Sequence, residues 1–159
     1  MQTIIFKILK FPHLSETFVL NQIITAINCG FGVKLLLTEV LSFEASKQTK
    51  LLEKYNIAEK IIIEDYKIPE NKICRFFKWC YLLLISIIDI KYIISFYKHK
   101  NSFSLTWLFQ FVFYKKHAKV SVFHIQYGTA KSLVDVLKKI NFIKANVVVS
   151  FHGHDVFFP

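Results

Sequence analysis

Glycine and proline are scarce, four and three in 159 residues, while hydrophobic side chains make up 53% and aromatic ones 16%. That balance excludes a disordered chain and implies a packed globular domain, long enough to build its core without disulfides. The three cysteines, Cys29, Cys74 and Cys80, are odd in number and form no C-x-x-C pair. Neither a disulfide framework nor a zinc knuckle is supported, and a reducing cytoplasm is the simplest setting. No charge-free apolar run approaches the roughly 20 residues of a membrane-crossing helix. The nearest, Trp79–Ile88, reaches that length only by taking in Arg75, Lys78, Asp89 and Lys91. No small-residue cleavage site follows the N-terminal M-Q-T-I-I-F-K-I-L-K, so it reads as a strand and not a signal peptide. Internal repeats, low-complexity tracts and linkers are also missing.

Acidic residues are few, 11 against 21 lysines and arginines, for a formal charge of +10. Such a surface attracts phosphates, whether of anionic lipid, nucleic acid or a nucleotide-linked substrate. Nucleic acid is set aside because no recognisable module or dense basic stripe occurs; the lysines are scattered. Phenylalanine, by contrast, is abundant at 17. Genome bias and an apolar surface that meets lipid both account for it.

Taken in order, the chain alternates strands and helices. Thr3 to Leu9 reads as a central strand, and F-P-H-L-S-E-T-F as the loop into a helix capped by Ser15, with Val19, Ile23, Ala26 and Ile27 inward and Gly30 and Gly32 at its end. Val33 to Thr38 is a second strand, a polar helix runs from Ser42 to about Asn56, and Lys60 to Ile63 is a third strand. Polar positions switch sides along Ile73–Lys100, which implies two successive helices or one that rolls between environments. Phe103 to His117 forms an aromatic helix with Trp107, Phe111 and Tyr114 on one face. Most side chains of these helices are expected to be buried, with surplus Phe, Trp, Tyr and Lys left for a membrane interface. Lys119–His124 is a fourth strand, Gln126–Thr129 a turn, and Ala130–Ile140 a helix with Leu133, Val136, Leu137 and Ile140 inward. The valine run from Val147 is a fifth strand, expected inside the sheet and covered on both faces. The fold class is therefore α/β, a Rossmann-like parallel sheet flanked by helices.

Ligands of such sheets bind beyond the carboxyl ends of the strands. Three polar loops fall there: Phe11–Thr17, His124–Thr129 and His152–Asp155. Each sets a polar group beside a glycine or a helix N-terminus, which presents backbone N–H groups to an anion. His152 and His154 also raise zinc, but the H-x-H-x-D-H pattern is not met, because Asp155 directly follows His154 and Phe157 takes the place of the last histidine. No metal is expected. Asp155 is expected to order its loop by accepting backbone N–H bonds.

F-P-H-L-S-E-T-F-V-L-N-Q-I, H-I-Q-Y-G-T and V-S-F-H-G-H-D-V, in that order, resemble the N-terminal domain of the family-four retaining glycosyltransferases, in the branch that builds bacterial exopolysaccharide, colanic-acid-type and O-antigen chains. The resemblance implies residues 1–159 to be the acceptor-side half of a GT-B fold. It also implies a nucleotide-sugar as donor substrate with no separate cofactor or metal, a lipid-linked glycan as acceptor, and a cytoplasmic protein peripheral on the inner face of an anionic membrane. His152 matches the histidine beside the transferring sugar, the catalytic position. Ser15, Glu16 and Thr17 match the cleft floor, and His124, Gln126, Gly128, Thr129, Gly153 and Asp155 complete the cleft. The family's H-x-H-F-G pattern has Gln126 for its second histidine and Tyr127 for its phenylalanine, and a glutamine cannot take up a proton. The donor domain with its E-x(7)-E pair has no counterpart, so the chain is expected to be a fragment, early stop or half of a split enzyme, inactive alone. A reading of another class is a non-catalytic membrane- or partner-binding α/β module.

Overall fold

The computed structural model describes residues 1–12, 17–44, 46–100, 103–128 and 132–151. Five strands make one sheet: β1 (Thr3–Phe11), β2 (Gly32–Val40), β3 (Ile61–Ile63), β4 (Val122–Gln126) and β5 (Asn146–Ser150), in the order β3-β2-β1-β4-β5. Every pairing is parallel. With helices between its strands, this is the expected Rossmann-like α/β arrangement. Two compact units emerge, residues 1–64, 120–131 and 145–159 with the sheet, and residues 65–119 and 132–144 with helices only.

In the sheet unit, β1 and β2 carry almost unbroken apolar runs, as central parallel strands do. Alternation sends Phe6, Ile8, Val33, Leu35 and Leu37 to one face. There they meet Val19, Leu20 and Ile23 of α1 (Thr17–Asn28), Leu52 of α2 (Thr49–Lys54) and Ile57. Gly30, at φ +82°, turns the chain out of α1, a conformation that favours glycine. Gly32 instead lies in β2, where a Cβ would press on Met1 and Thr3.

Other expectations change as well. The helix expected from Ser42 begins only at Thr49, because Thr49 Oγ1 donates to the Phe43 and Ser46 carbonyls (3.0 and 2.8 Å) and the Gln48 N–H donates to Ser46 Oγ (3.2 Å). Such local bonds compete with helix formation. The fourth strand is Val122–Gln126, displaced along the chain because pairing with β1 starts at Ile4 opposite Val122. The valine strand β5 is an edge strand among those described, as β3 is, with Val148 46% exposed. β-branched residues favour extended backbone whether or not both faces are covered.

The helical unit holds α3 (Lys72–Ile85), a 3-10 turn at Ile87–Asp89, α4 (Ile90–His99), α5 (Thr106–Lys115) and α6 (Ser132–Lys139). Two successive helices, α3 and α4, thus form Ile73–Lys100. Asn71 starts α3, its Oδ1 accepting the N–H of Ile73 and Cys74 (2.8 and 3.2 Å). The core is aromatic: Phe111 packs on Phe96 and Phe142, with centroids 6.0 and 4.5 Å apart. Trp79 Nε1 donates to Tyr97 Oη (3.1 Å), which donates to the Ser104 carbonyl (3.0 Å). The expected burial of most helix side chains fails for α3, which has no fully buried residue.

On the sheet face away from α1, Lys7 Nζ donates to Glu64 Oε2 at 2.7 Å, with side chains only 4% and 8% exposed. Thr38 Oγ1 also reaches this carboxylate, at 3.4 Å. Burial pushes the Lys7 amine below its usual 10.5, and Glu64 opposes that shift. Lys7→Met alone is expected to cost about 3–5 kcal/mol in chemical denaturation, whereas Lys7→Met/Glu64→Leu is expected to be near neutral. Between the lowered folded value and 10.5 the unfolded chain binds more protons, so Lys7 contributes stability that grows with pH across that window. The double variant should lose this rise.

Candidate functional site

Because β1, β4 and β5 are adjacent and parallel, their carboxyl ends share one edge of the sheet. The three motif-bearing loops therefore leave from that edge, after Phe11, Gln126 and Ser150. Of the sequence-derived residues, Thr17, His124, Gln126 and Gly128 are described. Ser15, Glu16, Thr129, His152, Gly153 and Asp155, and with them the catalytic assignment, lie outside the described residues. Thr17 is the first residue of α1 and is exposed.

His124 and Gln126 are in β4 itself, not in the loop beyond it, and both face the α1 side. The register sets His124 beside Phe6, and their rings lie 5.0 Å apart. Gln126, two residues on, is fully buried at 0% exposure. Its Nε2 donates to Gln22 Oε1 of α1 at 2.7 Å. His124 Nε2 shares a 2.8 Å hydrogen bond with Ser150 Oγ, the last residue of β5. A polar line Gln22, Gln126, His124, Ser150 thus runs just beneath the carboxyl edge, satisfied from within as burial demands.

Just past this line the backbone is tightly fixed. Tyr127 has φ +69° and donates its N–H to the Ser150 carbonyl at 2.9 Å. This left-handed turn costs a tyrosine energy and is held by that bond. It brings Gly128 against Phe151, where a Cβ would run into the ring. Any side chain at 128 would displace the residue immediately before His152.

Gln22 and Ser150 were not singled out in the sequence, yet each left a signal. Gln22 interrupts the inward spacing Val19, Ile23, Ala26, and Ser150 is the first polar residue after three valines. The chemistry available is hydrogen bonding by amides, a hydroxyl and an imidazole. Among the described residues no three His, Cys, Asp or Glu side chains gather as metal ligands would. Gln126→Leu removes the donor to Gln22 and is expected to cost about 1–3 kcal/mol. Gln22→Leu/Gln126→Leu should recover part of that loss in the same urea titration.

No protein-family model matches the sequence, and no solved structure matches it. Among curated proteins, the chain is 27% identical over 158 residues to the amylovoran biosynthesis glycosyltransferase AmsK of Erwinia amylovora. The match covers 95% of this chain and 37% of that protein, so the chain spans just over a third of its relative's length. By similarity, the chain is related to a glycosyltransferase of exopolysaccharide biosynthesis.

Proposed function

We propose that these residues are the acceptor-side domain of a retaining, GT-B, family-four glycosyltransferase that passes a sugar from a nucleotide-sugar to a lipid-linked bacterial glycan. The observation that carries the reading is the adjacency of β1, β4 and β5. Three stretches far apart in sequence, each resembling a family motif, follow three strands that end side by side. The similarity to an exopolysaccharide glycosyltransferase along 95% of the chain supports the same class.

The chemistry asks for two things. Breaking a sugar–phosphate bond builds positive charge on the sugar and negative charge on the departing diphosphate, so fixed dipoles matched to each lower the barrier. In this reading a neutral His152 hydrogen-bonds the sugar, and the loop containing Ser15, Glu16 and Thr17 lines the cleft floor. Gln126 and His124 act beneath, holding the carboxyl ends of β4 and β5 together so that the His152 loop starts from a fixed point. In this reading the diphosphate belongs to a donor domain, and without one these residues transfer nothing.

In the protein carrying its donor domain, His152→Ala is expected to abolish transfer from a labelled nucleotide-sugar while the circular dichroism spectrum and melting temperature stay unchanged. Wild-type turnover by that variant would overturn the assignment.

A further inference from the structure

The helical unit exposes its apolar residues to an unusual degree. At about 100° per residue, Ile73, Phe77, Tyr81 and Leu84 fall within one arc of α3, opposite Lys72, Arg75 and Lys78. All four are exposed, Phe77 by 66% and Leu84 by 69%. The arc continues through Ile87 and Ile88 at the turn, where Ile88 is 90% exposed, and into Ile94 of α4. Lys91 and Lys98 lie exposed on the same side of α4 as Ile94. Soluble monomers rarely leave so continuous an apolar face uncovered.

Charge identifies the occupant. The helical unit contains thirteen lysines and arginines against four acidic residues, and the sheet unit eight against seven. The excess that looked scattered along the sequence is therefore almost all in the unit that bears the apolar face. Two copies of so basic a surface repel each other, whereas an anionic lipid surface satisfies both features at once. Apolar rings and aliphatic chains enter the headgroup boundary, and lysine stems reach back to the phosphates. No single described helix is long and apolar enough to cross a membrane, and α3 and the segment from Ile87 to His99 are bent by 76° at their junction. The exposed lysines beside Ile94 suit such a bent pair to the interface, with the turn as its deepest point.

We propose that α3, the Ile87–Asp89 turn and α4 form a wedge that docks the protein on an anionic bilayer, apolar arc inward. Vesicle binding involves no sugar chemistry, so this proposal and the transferase reading fail separately. The test is cosedimentation of the full-length protein with vesicles of phosphatidylcholine and phosphatidylglycerol, and with phosphatidylcholine alone. The wild type is expected to bind the anionic vesicles and to bind the neutral ones much more weakly. Phe77→Glu/Leu84→Glu, both at exposed positions, should lower the partition coefficient about a hundredfold with an unchanged circular dichroism spectrum. Leu51→Glu, an exposed apolar site in the sheet unit, should leave it unchanged. Equal binding of the double variant and the wild type overturns the proposal. So does equal binding to both lipid mixtures, or a dimer in solution that ignores vesicles.

Discussion

Parallel hydrogen bonding of β1 on both sides, to β2 and to β4, is the constraint on which the sheet unit depends. A parallel strand cannot follow its neighbour through a tight turn, so each connection must carry the chain back to the same starting edge. All five strands consequently finish at one edge. Residues that follow different strands, separated by more than a hundred positions in the sequence, are delivered there together. The same register sets His124 beside Phe6 and Gln126 against Gln22 of α1, so the polar line below the edge follows from the pairing.

That line is buried polar structure of the kind that specifies one arrangement. Gln126 is fully enclosed, and an unmatched amide there would cost more than an apolar side chain. With its partner on α1, it links the helix to β4, while His124 and Ser150 link β4 to β5. Three elements that border the carboxyl edge are thus joined by side chains as well as by backbone. The Lys7–Glu64 pair makes a comparable link between β1 and the end of β3 on the other face. The left-handed Tyr127 and the close fit of Gly128 on Phe151 then direct the chain onward from β4 and β5.

Much of the fold is legible in the sequence because continuous apolar runs and 3.6-residue spacing are local signals. β1, α1 and β2 emerge close to the expected ranges for that reason. What escapes is decided by partners distant in sequence. The start of β4 is set by its register with Ile4, the late start of α2 by side-chain bonds from Ser46 and Thr49, and the edge position of β5 by sheet order. Gln126 reads as the start of a turn in the sequence, but pairing with Ser150 of β5 keeps it inside the strand. For α3, periodicity revealed an apolar arc without revealing which way it faced, and the same pattern suits a core or a lipid surface. The uneven division of charge became visible only once the chain was parted into its two units, since each unit is assembled from separate stretches.

In the proposed function, acceptor glycan is received at the carboxyl edge of the sheet. The most direct measurement is photo-crosslinking of the full-length protein with a lipid-diphosphate sugar carrying a diazirine on the sugar, followed by mass spectrometry of tryptic peptides. Label is predicted on the peptide Val120–Lys131 and on the peptide that begins at Ala145, which contain the ends of β4 and β5 and the loops that follow them. Label confined to other peptides, with both of these unmodified, would contradict it.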